Sequence, residues 1–421
     1  MKRTLFCILA AAACFGTIVL TAEAQWLQFR GPGGSGTAQD KGVPATWSDD
    51  SNIRWKAEMP GPGASSPIVV GNKVFVTCYS GYGLTRDNPG EQKNLKRHLV
   101  CLERQTGKTV WKRDIDPVLP ESAFQGPYIT MHGYASSTPV SDGKQVFVFF
   151  GSAGVFAFDL DGKQLWHASV GKGTHGWGSG ASPILNKDLL IVNASVESGS
   201  VLALDKKSGT EVWSTKGIRG SWNTPVLVNL AGAAAELALG TQPKMLGLDP
   251  DTGKELWRAE TYDWYVCPSL VAHDGVLYGL QHSICVAIKA GGHGDVTDSH
   301  VLWKKNFGHV VSSPLYHDGH VYWCSSGTVN CVKASDGSLV YKERLKGADE
   351  TYASPVLADD KIYFVTRSDG VYVVEAGPKF KLLAHNTFNS DTSIFNASPA
   401  VSNSQLFLRS DRYLYCLGKQ K

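Results

Sequence analysis

Side chains able to bind a ligand collect in a few long, polar connections of this sequence. They are aromatic rings, imidazoles, amides, carboxylates and a guanidinium, which together can stack on a flat or extended ligand and hydrogen-bond its polar atoms. The candidates are Tyr128, His132, Tyr134, His175, Trp177, Arg219, Trp222, Asn223, Asp263, Trp264, Tyr265 and Asp391. Each residue taken alone is more simply explained by packing, so the prediction concerns a binding face rather than one catalytic group.

No familiar catalytic or metal-binding motif accompanies these candidates. The run from Gly31 to Gly36 is rich in glycine but lacks the Lys-Ser/Thr pair of a phosphate-binding loop. His317 and His320 share one tight turn, with no third metal ligand evident nearby in the sequence. A Gly-x-Ser-x-Gly nucleophile elbow is also missing. We therefore assign no catalytic and no metal-binding residue.

The scaffold that must hold these connections is a repeat in which a small residue and a proline precede an apolar strand. Eight copies occur, at Pro67, Pro139, Pro183, Pro225, Pro268, Pro314, Pro355 and Pro399. After a first interval of 72 residues, the spacings are 44, 42, 43, 46, 41 and 44. A period in the low forties is the length of one four-stranded propeller blade.

A second motif marks the outer half of each unit, approximately Ala-x-Asp-x-x-Thr-Gly-x-x-x-Trp. It reads CLERQTGKTVW from Cys101, ALDKKSGTEVW from Ala203 and GLDPDTGKELW from Gly247. The glycine supplies the left-handed conformation of a short hairpin turn. The tryptophan begins the outer strand, where we expect it to pack between neighbouring blades.

These repeats predict an all-β, eight-bladed β-propeller of four-stranded antiparallel blades. The eighth unit ends after three strands, and residues 53–56, with Trp55 in register, look like the missing fourth strand. We predict that this N-terminal strand pairs with residues 413–417 and closes the ring, which would remove two free sheet edges. The predicted divisions are a signal peptide at 1–24, an irregular leading segment at 25–52 and one propeller at 53–421.

Together, the two motifs resemble the quinoprotein-type (pyrroloquinoline quinone repeat) β-propeller family over residues 53–421. That family includes pyrroloquinoline-quinone-dependent alcohol dehydrogenases and the propeller lipoprotein of the bacterial outer-membrane β-barrel assembly machine. The stretches WLQFRGPGGSG, HGYASSTPV and NASVESGS also resemble exported repeat proteins of planctomycete-like bacteria. The resemblance implies the fold and says little about activity.

One alternative that the resemblance implies is an oxidoreductase that uses pyrroloquinoline quinone with calcium. Such an enzyme needs carboxylate and amide oxygens around the metal and a carboxylate base, which Glu197, Asn223, Asp263 and Asp391 could supply. However, no two cysteines are adjacent, whereas these dehydrogenases usually place such a pair over the cofactor. The chain is also short for those enzymes. We therefore assign no cofactor and favour a non-enzymatic binding or scaffolding propeller, with a structural part in an envelope assembly complex as a further alternative.

Turn lengths predict which face of the ring binds. First-to-second and third-to-fourth strand turns are short and define a turn face, whereas second-to-third and blade-to-blade connections define a loop face. The long connections are residues 79–98, 114–136, 170–180, 260–265 and 386–396. We expect the candidate residues to ring the channel mouth on the loop face and to bind a protein, peptide or glycan. A net charge of +3 with no basic run gives no reason to expect nucleic acid.

The N-terminus predicts export. Lys2 and Arg3 precede an apolar run that ends in a small-residue cleavage site, Ala22-Glu23-Ala24. A retained membrane helix is the alternative, and Cys14 weakly resembles a lipoprotein box, so lipid attachment stays open. The mature protein would be periplasmic or envelope-associated, or secreted, without a transmembrane segment.

Seven cysteines follow the predicted signal peptide. Two pairs, Cys78 with Cys101 and Cys324 with Cys331, lie on neighbouring strands, so each pair could face across a hairpin and form a disulfide. Small buried core residues are the favoured interpretation, because Ala or Gly fills the same position in other repeats.

Overall fold

Eight antiparallel sheets form the blades of one propeller, and the strands of each blade follow one another from the axis outward. The computed structural model describes residues 25–308 and 311–419, so the predicted signal peptide and Cys14 lie outside the described residues. Helices among the described residues are short: α1 (Ile129–His132), α2 (Thr297–His300) and 3-10 turns at Pro32–Gly34, Gln92–Asn94 and Gly151–Ala153. None of these described helices is long and apolar enough to cross a membrane. The predicted all-β, eight-bladed class is confirmed.

The strands have the following bounds. After β1 (Ile53–Glu58), the first blade has β2 (Ile68–Val70), β3 (Lys73–Ser80), β4 (Lys96–Glu103) and β5 (Thr109–Ile115). The second has β6 (Val140–Ser141), β7 (Gln145–Phe149), β8 (Val155–Asp159) and β9 (Gln164–Ala168). The third has β10 (Ile184–Asn186), β11 (Leu189–Ala194), β12 (Ser200–Asp205) and β13 (Glu211–Lys216). The fourth has β14 (Val226–Val228), β15 (Glu236–Gly240), β16 (Lys244–Leu248) and β17 (Glu255–Glu260).

The remaining blades follow the same order. The fifth has β18 (Val271–His273), β19 (Val276–Gln281), β20 (Ile284–Lys289) and β22 (Val301–Lys305), and β21 (Gly294–Asp295) joins the fourth blade. The sixth has β23 (Leu315–His317), β24 (His320–Ser325), β25 (Thr328–Lys333) and β26 (Leu339–Arg344). The seventh has β27 (Val356–Ala358), β28 (Lys361–Val365), β29 (Val371–Glu375) and β30 (Leu382–Asn386). The eighth has β31 (Ala400–Ser402), β32 (Gln405–Arg409), β33 (Tyr413–Leu417) and β1.

Both ends of the propeller meet in the eighth blade. β1 pairs antiparallel with β33, from Ile53 opposite Leu417 to Glu58 opposite Tyr413. The predicted closure by the N-terminal strand is therefore confirmed. It gives the outer edge of β33 a partner, so this strand does not remain a free sheet edge.

The outer-strand tryptophans bridge neighbouring blades, as predicted. Each lies opposite a small residue of its own third strand, as Trp111 lies opposite Cys101. Its indole N–H donates to a carbonyl in the third-to-fourth turn of the next blade; Trp55, for example, donates to Arg104 O at 2.8 Å. The same bond is made by Trp111, Trp166, Trp213 and Trp303. The turn glycine is required there, because Gly107 has φ 71° and an added Cβ would lie 2.5 Å from the Trp55 ring.

The fourth and fifth blades show what happens when the motif is interrupted. The insertion before Trp303 folds outward, and its β21 pairs in parallel with β17. Trp257 lacks the usual turn carbonyl in the next blade and instead donates to Glu236 Oε2 at 2.7 Å. Gly291 N of the insertion donates to the same carboxylate at 3.1 Å. The insertion thus replaces one inter-blade bond with another.

The small residue before each innermost strand belongs to a hydrogen-bonded ring around the axis, called here the hydroxyl ring. Each backbone N–H donates to the hydroxyl oxygen of the equivalent residue in the next blade, at 2.8–3.0 Å. Seven such bonds join Ser66, Thr138, Ser182, Thr224, Ser269, Ser313, Ser354 and Ser398 in that order. The repeat therefore needs a hydroxyl there, and not merely a small side chain.

The alignment on proline is wrong in the fifth unit. Ser269 occupies the hydroxyl ring, and Leu270 stands directly before β18, where the other blades have proline. Pro268 is therefore displaced by two residues from its supposed equivalents. Hydrogen bonding to the ring, and not the proline, sets the register.

The boundary between the eighth and first blades is joined differently. Ser66 Oγ has no hydrogen-bond partner among the described residues. Instead, buried Arg409 from the end of β32 reaches across, and its Nη1 donates to Ser65 Oγ and Thr77 O, both at 2.6 Å. An arginine thus ties the last blade to the first.

The leading segment (residues 25–52) lies across the turn face of the channel. Trp26 pairs with Val69 of the first blade, and Ala38 N donates to Leu357 O of the seventh at 2.8 Å. Asp40 accepts a bond from Ser404 N in the eighth blade at 2.8 Å. The segment's 3-10 turn at Pro32–Gly34 packs against β14 of the fourth blade, which lies across the ring from the eighth. The segment therefore crosses this end of the axis.

The seven cysteines of the described residues are free thiols. Cys78 lies opposite His98, and Cys101 lies opposite Phe75, so the suggested facing pair is wrong. Likewise Cys324 lies opposite Val329, and Cys331 lies opposite Tyr322. Cys101, Cys331 and Cys416 fill the small position opposite an outer aromatic ring, which agrees with a packing role.

Candidate binding site at the channel mouth

The loop-face end of the channel is covered by the connection between β5 and β6, called here the capping loop (residues 116–139). Its helix α1 reaches loops from three other blade boundaries. Met131 O accepts from Asn396 Nδ2 at 2.7 Å, and Met131 Sδ contacts the Tyr352 hydroxyl at 2.8 Å. His132 Nε2 lies 2.8 Å from Trp177 O. The capping loop therefore lies over the axis.

A buried ion pair anchors the capping loop to the first blade. Arg97 of β4 makes two bonds to Glu121, at 2.7 and 2.8 Å, and both side chains are at most 4% exposed. Ser152 of the second blade donates to the same carboxylate at 3.0 Å. Such a two-pronged geometry fixes the loop in orientation as well as position.

Tyr134 belongs to this anchor and not to the binding surface. It is buried against Tyr79, Tyr82 and Phe124, and its hydroxyl donates to Ser122 O at 2.7 Å. Burial raises its pKa far above the usual value, so the phenol stays neutral. Its place in a long connection suggested binding, but its contacts are those of a small core beneath the loop.

A cavity of about 510 Å³ occupies the axis between the capping loop and the leading segment. Its floor includes Phe29 and five members of the hydroxyl ring. Above them lies an upper tier formed by the residue two positions before each ring member: Ala64, Ser136, Gly180, Trp222, Cys267, Val311, Tyr352 and Asn396. All eight line the cavity, because side chains two apart on an extended chain point the same way.

Aromatic rings crowd one side of this mouth. Trp177 lies 4.5 Å from Tyr128, 4.8 Å from Trp222 and 4.0 Å from Tyr265, measured between ring centroids. His175 packs on Trp222 at 4.9 Å. Burial raises the pKa of Tyr265 to about 12, so this phenol remains a neutral hydrogen-bond donor at physiological pH. Five of the predicted candidates therefore lie together at this mouth: Tyr128, His132, His175, Trp177 and Trp222.

Two imidazoles at this mouth, those of His132 and His175, favour the neutral form. Both ring nitrogens of His132 are engaged, with Nδ1 2.7 Å from Ser136 Oγ. Burial lowers the pKa values of His132 and His175 below the usual histidine value. They therefore position neighbouring groups and add no positive charge.

The other predicted residues divide into a rim and a structural group. Arg219, Asp263 and Trp264 are exposed on the loop face, and Trp264 is 60% exposed. Asn223 is fully buried, and its amide bonds Gly240 N and O. Asp391 is buried and accepts from the Tyr415 hydroxyl at 2.9 Å and from Ser393. The last two residues hold loops in place and do not face the cavity.

Sequence reasoning missed several residues of the cavity wall, among them Phe29, Cys267, Glu350, Tyr352 and Asn396. A signal for three of them was present, since Cys267, Tyr352 and Asn396 each precede a ring member by two positions. Phe29 could not be found that way, because it comes from the leading segment.

A family model described as outer membrane protein assembly factor BamB matches residues 95–266 and 270–418. These two stretches make up more than half of the chain. The chain belongs to the BamB family.

Individual BamB proteins agree with this placement. The outer membrane protein assembly factor BamB of Burkholderia pseudomallei (strain K96243) is 24% identical over 376 residues, covering 83% of this chain and 83% of that protein. The crystal structure of BamB from Moraxella catarrhalis superposes with a TM-score of 0.60 at 14% identity, covering 88% of this chain and 98% of that one. The molecule is therefore a BamB-like propeller.

A quinohemoprotein alcohol dehydrogenase from Comamonas testosteroni shares the fold, with a TM-score of 0.67 at 11% identity over 94% of this chain and 81% of that one. At this identity, the likeness concerns the fold alone. It nevertheless raises the question of whether the BamB-like cavity fits a quinone.

The described cavity wall does not fit pyrroloquinoline quinone. The cofactor carries three carboxylates, which require cationic partners, yet the described lining contains one acid, Glu350, and neither lysine nor arginine. The described residues contain no group of three or more His, Cys, Asp or Glu side chains arranged to hold a metal. Glu197, a conceivable calcium ligand, instead accepts from the Ser179 hydroxyl, and burial raises its pKa to about 7. We derive no chemistry through this cofactor.

Proposed function

We propose that this BamB-family chain is an extracytoplasmic scaffold of the bacterial envelope that binds a protein partner on its loop face. The observation that carries the proposal is the aromatic cluster at the channel mouth. Trp177 and Trp222 are half-buried and pre-packed, and Trp264 is largely exposed beside Tyr265. Aromatic side chains held in this way are typical anchors of protein interfaces.

Exposed apolar side chains on the same face support a protein partner. Leu84 of the β3–β4 connection and Leu119 of the capping loop are each more than half exposed. Trp264 and Tyr128 add aromatic surface on the same side. A rigid ring of blades lowers the ordering cost of binding through such loops.

The cellular place of this scaffold is also part of the proposal. The relative from Burkholderia pseudomallei is named an outer membrane protein assembly factor. The basic-apolar start of the sequence with its Ala22-Glu23-Ala24 site is typical of an export signal. Both observations favour a periplasmic, envelope-associated protein whose partner belongs to the outer-membrane assembly machinery.

Replacing Trp177, Trp222 and Trp264 together with alanine tests this function. We expect affinity for the partner that co-purifies from envelope extract to fall by roughly 100-fold or more, because truncating interface tryptophans removes the dominant contacts. Surface plasmon resonance with the purified partner would measure the loss. Trp264→Ala alone, which removes a largely exposed ring beside Tyr265, should weaken binding by a smaller factor.

The matched control removes exposed apolar side chains from the outer strands of the blades, away from the loop face. Val110, Val212 and Leu302 are each about half exposed on outer strands. Their triple alanine variant should bind like the unmodified protein. If the outer-strand variant loses affinity for the partner and the tryptophan variant keeps it, the loop face is not the binding surface.

A further inference from the structure

Arg30 of the leading segment is a buried cation without a counter-charge. It is 1% exposed, and its Nη2 donates to the carbonyl oxygens of Pro314 and Ser35. Nε and Nη1 have no hydrogen-bond partner among the described residues. No acidic side chain of the described residues forms an ion pair with it. The interior of the channel therefore holds an uncompensated positive charge.

Such a charge requires compensation. Burial lowers the pKa of Arg30 to about 9, so the guanidinium remains protonated at neutral pH. An unpaired buried ion is strongly unfavourable, because the interior cannot replace its hydration. Two backbone carbonyls satisfy one nitrogen and leave most of the charge exposed to a low-dielectric surrounding.

A small cavity of about 40 Å³ lies beside Arg30, and it shares Phe29, Thr224 and Ser269 with the wall of the large cavity. Gln28, Arg30, Thr224 and Ser269 are the polar or charged side chains in its wall. Thr224 Oγ1 and Ser269 Oγ each accept a ring bond, at 3.0 and 2.9 Å. Their hydroxyl hydrogens remain available to donate to a ligand.

The groups around this cavity therefore offer mainly hydrogen-bond donors and one full positive charge. A water molecule could accept from the donors but would leave the charge uncompensated. This volume exceeds the roughly 10–15 Å³ needed for one water-sized occupant, so one small ion fits the cavity. These features together favour a single small anion.

We propose that Arg30, Thr224 and Ser269 form a buried site for one halide-sized monovalent anion, with chloride as the physiological occupant. The anion would link the leading segment to the fourth and fifth blades. Arg30 Nη2 already holds the leading segment to the sixth blade through its bond to Pro314 O. Chloride would thereby stabilise the cover over the turn face of the channel. This site is independent of the loop-face partner.

Thermal unfolding in chloride tests the site. At constant ionic strength, with gluconate as the replacement anion, the melting temperature of the unmodified protein should rise with chloride concentration. Above the dissociation constant, each tenfold increase in chloride should raise the folding equilibrium constant up to tenfold, as for one site that exists only in the folded state. Arg30→Met should abolish this dependence, whereas Arg219→Met, which removes an exposed arginine, should preserve it.

A bromide-soaked crystal of the unmodified protein provides the second measurement, which does not depend on the folding of any variant. We expect an anomalous peak within hydrogen-bond distance of Arg30 Nε or Nη1. Equal melting temperatures in chloride and gluconate, or a water molecule at that position without bromide, would overturn the proposal.

Discussion

Removal of residues 409–421 should abolish the cooperative unfolding of this propeller and cause aggregation. The deletion takes away β33, so that β32 and β1 lose their shared partner and each exposes a sheet edge. It also removes Arg409, whose guanidinium joins the eighth blade to Ser65 and Thr77 of the first. Differential scanning calorimetry and light scattering would record the missing transition and the growth of particles.

A shorter deletion controls for loss of the C-terminus as such. Removing residues 419–421 spares β33 and, among the described residues, removes the exposed hydrogen bond from Arg54 to Lys419 O. This variant should melt like the full chain. A normal transition in the longer deletion would mean that the ring does not depend on its terminal strands.

Glu121→Ala should lower the free energy of unfolding by about 3–5 kcal/mol, because it leaves Arg97 buried without its carboxylate. The same change removes the acceptor of Ser152 and releases the capping loop that carries Tyr128 and His132. Binding at the loop face should therefore weaken in parallel. Urea denaturation followed by tryptophan fluorescence would measure the loss of stability.

Two further variants test whether the unpaired charge of Arg97 causes the loss of stability in Glu121→Ala. Arg97→Met combined with Glu121→Leu removes both charges and should recover most of the loss, since apolar replacement of a buried pair is often near neutral. Asp116→Ala, also in the capping loop, breaks an exposed ion pair with Lys96 of β4 and should cost no more than about 1 kcal/mol. A double variant as unstable as Glu121→Ala would indicate that cavity formation dominates.

The fold was predictable because the information is repeated. Eight units repeat the same pattern. Residues 53–56 were recognised as an isolated fourth strand because the eighth unit has only three strands of its own. The packing of the outer-strand tryptophans between blades was predictable for the same reason, since glycine and tryptophan recur four residues apart, as in Gly107 and Trp111. Where a unit departs from the pattern, the prediction was less accurate. The fifth unit was aligned on Pro268, but its equivalent position is set by the hydroxyl of Ser269, which accepts a bond from the neighbouring blade.

The candidate site was only partly predictable, because its residues come from loops that meet through tertiary structure. Trp177, Trp222 and Tyr128 lie on different blade connections and were identified by residue type and loop length. The same criteria selected Tyr134, Asn223 and Asp391, whose contacts are structural. Residue type and loop length are the same whether a polar or aromatic side chain binds a ligand or holds the loop in place. Phe29 and Arg30 were missed since nothing in the sequence shows that the leading segment crosses the axis.

The same ambiguity affected the cysteines. Cys78 and Cys101 lie on adjacent strands, which suggested that they face each other. The register places them three positions apart, on opposite sides of the sheet, so a period-two side-chain pattern forbids contact. Strand adjacency alone cannot supply register.

Site-specific photo-crosslinking in the envelope tests most directly whether the loop face binds the partner. A benzophenone amino acid would replace Trp264 on the loop face or Lys144 in a first-to-second strand turn on the opposite face. We predict an adduct from position 264, identified by mass spectrometry as a protein of the outer-membrane assembly machinery, and none from position 144. An adduct with that machinery from position 144 and none from 264 would contradict it.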